Sequence, residues 1–119
     1  MKTTGTVVTD RAGRYGKQLA NHMGRKIDTT WTADGGAHGL GAGTLTFGDG
    51  SAVELLATPT QLVANATVTS DDPDQVAAIE HAVGKHVVKF GLREGLTCTW
   101  VREDGSAGTS QDASLFDED

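Results

Sequence analysis

Residues 72–90 carry the full set of signals for one well-delimited helix, and that helix constrains everything around it. Asp72 can cap its first turn, Pro73 suits its first position, and Gln75 completes a capping-box-like pattern. Asp72 and Asp74 lie at the positive end of its dipole, with Lys85, Lys89 and Arg93 toward the negative end. Val76, Ile79, Val83, Val87 and Phe90 recur at helical spacing as one apolar stripe, and Gly91 or Gly95 ends the helix. Such a stripe must be buried against a second layer, and most of the remaining chain alternates with period two.

Only one other stretch sustains a helix. Residues 11–26 follow Asp10, a second candidate cap, and place Ala12, Tyr15, Leu19, Met23 and Lys26 on one stripe. Strands are predicted at residues 4–9, 27–33, 44–48, 52–57, 61–69 and 96–101. Asp49-Gly50 is a hairpin signal between the third and fourth. Leu62, Ala64, Ala66 and Val68 alternate with polar residues in the fifth. So much glycine in residues 35–43 predicts a flexible connector. The resulting order, β-α-β-β-β-β-α-β, predicts an α+β fold: a two-layer sandwich with two helices on one face of an antiparallel sheet. One domain is expected over residues 1–102. Residues 103–119, rich in Gly, Ser and Asp, are expected to be an acidic disordered tail.

The net charge of −6 resides in that tail, which holds six acids and no Lys or Arg, so the body up to Arg102 is neutral. Within the body, Arg11, Arg14, Lys17, Arg25 and Lys26 share a predicted helix that contains no acid. Arg11, Arg14, Lys17 and Arg25 form either a solvated face or a surface for an anion, the chain's own tail included, while Lys26 falls on the apolar stripe. Arg93, past the end of the second helix, can cap the last carbonyls or grip a carboxylate. A neutral body with six aromatic residues disfavours nucleic acid as a partner. The single cysteine, Cys98, rules out an intrachain disulfide. Neither an apolar leader nor a membrane-length apolar run is present, so a cytoplasmic location is expected.

No His-Glu-x-x-His, Cys-x-x-Cys or Gly-x-Ser-x-Gly motif occurs, which points away from the familiar zinc and hydrolase chemistries. The glycine loop lacks the Gly-Lys-Ser/Thr ending of a phosphate loop. Cys98 shares a predicted strand face with Leu96 and Trp100 and reads as an apolar filler. No nucleophile or carboxylate pair stands out, so a non-enzymatic binding module is the first reading, with no cofactor assignable. His38 falls in the glycine loop, and His81 and His86 lie about 140° apart on one helix, too far around to share a metal. His22 and His86 each sit about 50° to the same side of their apolar stripes. If a pseudo-twofold axis relates the helices, the two imidazoles either face each other or both face outward. A facing pair is the alternative functional reading, a metal- or ligand-dependent site and a candidate for catalysis; two half-buried structural histidines are the plain one.

Such an axis has some support. Thr-Val-Val-Thr-Asp at residues 6–10 and Thr-Val-Thr-Ser-Asp at 67–71 each precede a helix, and each helix is followed by a strand with a tryptophan, Trp31 or Trp100. A second stripe, Gly13, Gly16, Ala20 and Gly24, runs along the first helix. Each interior glycine costs about 1 kcal/mol relative to alanine. Close approach of another backbone is therefore expected there, from a loop or from the second chain of a homodimer.

The segment from Gly84 to Trp100, with His86, Phe90, Arg93, Leu96 and Trp100, resembles the bacterial domain-of-unknown-function family 2218. Arg14-Tyr15, Leu19, Asn21-His22 and Phe47-Gly48-x-Gly50 resemble it too, so the likeness spans about residues 4–102. It departs at Gly16, at the long loop 34–43 and at the tail. The resemblance implies a fold and supplies no catalytic residues. Its members' genes often neighbour siderophore-interacting flavin reductases, which implies an accessory role in iron utilisation, with a protein partner or a small ligand.

Overall fold

In the computed structural model, which describes residues 1–116, β1 (Lys2–Val8) leads into α1 (Ala12–Met23). There follow β2 (Asp28–Thr32), β3 (Ala42–Thr46), β4 (Ala52–Ala57), β5 (Gln61–Thr67) and α2 (Pro73–Phe90). Next come a 3-10 turn (Leu92–Glu94), β6 (Cys98–Arg102), β7 (Ala107–Gln111) and a last 3-10 turn (Ala113–Phe116). The strands form one antiparallel sheet in the order β2-β3-β4-β5-β1-β6-β7. The helices pack on this sheet, α1 over β2 to β5 and α2 over β1, β6 and β7. The fold is thus α+β, with the core between the layers: Val7, Leu45, Val53, Leu55, Leu62, Cys98 and Trp100 from the sheet, Leu19, Val76, Val83 and Val87 from the helices.

The local signals act largely as expected. Asp72 caps α2, accepting from the Asp74 amide at 3.0 Å, and the Gly91 amide closes it on the Val87 carbonyl. Gln75 departs from the capping box: its side-chain amide donates to Asp49 in the β3–β4 turn at 2.9 Å and ties that turn to the helix. In the same turn Gly50 adopts φ +90°, where a side chain would be strained. The first helix is shorter than residues 11–26. Its N-cap is Arg11, without a side-chain cap, in place of Asp10. At its other end the Lys26 and Ile27 amides both turn onto the Met23 carbonyl, and the Thr29 hydroxyl donates to the Ala20 carbonyl. Those bonds satisfy carbonyls the next helical turn would have used. Arg25 and Lys26 therefore lie beyond the helix.

The expected close approach on the glycine stripe is made within the chain. A Cβ on Gly13 would meet the Leu40 carbonyl oxygen at 2.6 Å, and one on Gly16 the Trp31 ring at 2.5 Å. The glycine loop packs back on the body, with Gly41 buried and its carbonyl accepting from the Ala57 amide at 2.9 Å. It is an integral part of the packing, not merely a connector.

The expectation of a disordered tail from residue 103 is corrected by β7, which pairs with β6 across the turn at Asp104. Two buried polar contacts hold it. Trp100 Nε1 donates to Gln111 Oε1 at 2.8 Å. Glu80 on α2 is fully buried and accepts from the Thr3 hydroxyl, from the amide and hydroxyl of Thr109, and from Arg102 at 3.2 Å. Burial alone would raise the Glu80 carboxyl; the bonds from Arg102, Thr3 and Thr109 outweigh it and hold the group below the ordinary carboxylate range. The tail acids Asp117, Glu118 and Asp119 lie outside the described residues.

The two halves of the suspected repeat meet as β1 and β5, which pair at the middle of the sheet. Their tryptophans are not equivalent, since Trp31 lies on the edge strand β2 and Trp100 on β6 beside β1.

Candidate functional site

Helices α1 and α2 run antiparallel along a shared seam, bringing the start of α1 beside the end of α2, and His22 beside His86. Two recesses open on this seam.

The first lies where α1 begins. It measures about 480 Å³ and is lined by Arg11, Arg14, Tyr15, Gln18, Lys89, Phe90, Leu92, Arg93 and Glu94. Four cations thus surround one carboxylate. Tyr15 belongs to the buried stripe of α1, but its hydroxyl reaches the seam and donates to Glu94. Arg11 stands 3.8 Å from the same carboxylate. Partial burial, the hydrogen bond to Glu94 and the charge of Glu94 raise the Tyr15 phenol above its ordinary value, against the opposing charges of Arg11 and Arg14. Glu94 is held on one side by Tyr15 and Arg11. Among the described residues Arg14, Lys89 and Arg93 form no salt bridge.

Of the five cations expected to bind anions, Arg11, Arg14 and Arg93 converge here. Lys17 is exposed on α1 outside the groove, and Arg25 belongs to the second recess. Arg93 lines the groove, and the Val87 carbonyl at the end of α2 accepts from the Gly91 amide. The sequence reading missed Tyr15, Lys89 and Glu94 as site residues. From the sequence Tyr15 reads as part of the apolar stripe of the first helix and Lys89 as a partner of the second helix's dipole. The clustering of Lys89, in the last turn of α2, with Arg93 and Glu94 just past its end was the available signal.

The second recess, about 350 Å³, is lined by His22, Met23, Arg25, Lys26, Ile27, Phe47 and His86. Of the two arrangements the helix geometry allowed, the imidazoles take the facing one: their ring centres are 4.7 Å apart at 41°. Phe90 meets His22 edge-on at 5.5 Å. His86 Nδ1 lies 2.6 Å from the Ala82 carbonyl and donates to it. Partial burial lowers the His22 pKa, and the neighbouring His86, Arg25, Lys89 and Lys26 lower it further. His38 and His81 are exposed and line neither recess. No group of three or more His, Cys, Asp or Glu side chains among the described residues is placed to hold a metal ion. Cys98 is buried, and burial first, then the Glu80 charge, push its thiol up to about 12. Among the described residues no helix is long and apolar enough to cross a membrane.

A family model for an uncharacterised protein conserved in bacteria (DUF2218) matches residues 4–101. The chain is also similar to PA4090 from Pseudomonas aeruginosa, solved by NMR, with 30% identity and a TM-score of 0.61; the match covers 83% of this chain and 93% of that one. No curated protein matches.

Proposed function

The chain belongs to the uncharacterised bacterial family DUF2218, and on that premise we propose that it is a cytoplasmic, non-enzymatic binding module that takes a small polyanion in the groove between α1 and α2. One observation carries this reading: Arg11, Arg14, Lys89 and Arg93 line a single recess whose only acid among the described residues is Glu94. Guanidinium groups suit carboxylate and phosphate because their donors lie in a planar fork. Tyr15 and Glu94 brace one wall, so an arriving anion meets cations already in position. The iron-uptake setting implied by the family resemblance makes a polycarboxylate chelator the first ligand class to try. The module would then pass such an anion, free or loaded with ferric iron, to a protein partner.

Citrate and ferric citrate are suitable probes in a calorimetric titration. Salt-sensitive binding, weakened more than about tenfold by Arg14→Glu or Arg93→Glu and unchanged by Lys17→Glu, is the expected result. Absence of binding by either probe, or equal weakening by Lys17→Glu, overturns the reading.

A further inference from the structure

The second recess differs from the first in chemistry. Its apolar lining is Met23, Ile27 and Phe47, all packed against the core, and the His22 and His86 rings complete it. The Ala82 carbonyl holds the His86 ring through Nδ1, and His22 meets that ring at 4.7 Å, so this wall is in position before anything binds. The fixed charge of the recess has one sign. Arg25 and Lys26 line it, and among the described residues no Asp or Glu does. Asp28 lines the adjoining recess, which shares those two cations, yet forms no salt bridge with either. The negative end of the α1 dipole works against an anion here. Its carbonyls are engaged within the chain, however: His22 accepts from the Arg25 amide, and Met23 from the amides of Lys26 and Ile27. At about 350 Å³ the recess lies at the small end of ligand sites and suits a small ligand. An aromatic ring fits beside Phe47 and the Met23 sulfur. A guanidinium can both stack on such a ring and pair with a carboxylate.

We infer that this recess is a second binding site, for an aromatic monocarboxylate whose ring lies against Met23, Ile27 and Phe47 and whose carboxylate meets Arg25 and Lys26. It shares no lining residue with the polyanion groove, and the inference does not rest on that groove's ligand. Both helices contribute to it, so the site exists only in the folded chain.

Naphthoate titrated into the untagged full chain, followed by NMR, is the test. Expected is one molecule per chain with a Kd below about 1 mM. The ring protons of His22 and His86 should shift, and those of the exposed His38 and His81 should not. Reversing both cations in Arg25→Glu/Lys26→Glu should weaken binding more than about tenfold, as should His22→Glu, which sets a carboxylate on the recess. Naphthylmethanol supplies the ring without the charge and acetate the charge without the ring, and each should bind more than about tenfold more weakly. Arg14→Glu and excess citrate should leave naphthoate binding unchanged, which separates this site from the polyanion groove. Every substituted residue is exposed, and near-ultraviolet circular dichroism from the two tryptophans checks that each variant is folded. The inference is overturned if naphthoate shows no saturable binding up to about 1 mM, or shifts all four histidines alike. It is also overturned if the Arg25/Lys26 reversal binds normally, if naphthylmethanol binds as tightly, or if binding disappears in Arg14→Glu.

Discussion

Replacing Glu80 by alanine should destabilise the protein by about 3–5 kcal/mol, because the change strips the acceptor from a buried cluster and leaves its donors behind. Thr3 Oγ1 at 2.6 Å, the Thr109 amide and hydroxyl at 3.0 Å each, and the Arg102 guanidinium at 3.2 Å all converge on this one carboxylate. Arg102 would be left a largely buried charge, with a side chain only 16% exposed. A domain of this size has about 5–15 kcal/mol in total, so the loss takes a large share of it. At about 4 °C per kcal/mol the melting temperature should fall by roughly 12–20 °C. Glu80→Gln keeps the shape and one acceptor, and should cost less, about 1.5–3 kcal/mol, through the lost charge-assisted bonds. The pH dependence provides a second reading. Glu80 has a folded pKa below its unfolded value, so its contribution is fully present above the unfolded pKa, about 4.3. It is lost as pH falls through the folded pKa. The gap between parent and Glu80→Gln should therefore be widest near neutrality and close on acidification. Urea unfolding followed by circular dichroism from pH 7 to pH 3 measures it, and amide exchange should show residues 107–111 opening first. A Glu80→Gln variant within about 0.5 kcal/mol of the parent at pH 7, or a gap constant with pH, would refute the reasoning.

Three further outcomes are expected. Gly16→Leu should lose at least about 1–3 kcal/mol in urea unfolding, since its Cβ would stand 2.5 Å from the Trp31 ring; a variant of parental stability contradicts that packing. Tyr15 is the chain's single tyrosine, so absorbance at 295 nm reports it alone. Its phenol should titrate above pH 10 and move down in Glu94→Gln, and a parental midpoint at or below 10 speaks against the Glu94 contact. Cys98, with its thiol pushed up to about 12, should resist a disulfide reagent at pH 8 until the protein unfolds; rapid native labelling would mean that β6 is open to solvent.

The amino-acid sequence by itself determined what depends on neighbours a few residues away. Asp72, Pro73 and Gly91 delimit α2, and the alternation of Leu62, Ala64, Ala66 and Val68 sets the inward face of β5, because caps and periodicities are local in the chain. The two-layer α+β architecture follows from those elements. The flanking positions of His22 and His86 were legible too, but whether the rings meet is a property of how two helices pack, and two packings satisfied the same spacing. Glu80 sits between Val76 and Val83 on the buried side, and a charge there was passed over because its partners, Thr3, Arg102 and Thr109, are far away in sequence. The same partners explain β7: residues 107–111 have the composition of a tail and gain their order from Glu80 and Trp100. The anion groove likewise joins Arg11 and Arg14 to Lys89 and Arg93. Each of these depends on side chains that meet only once the sheet and both helices are assembled, when burial makes an unpaired polar group costly and a convergent cluster of charges lasting.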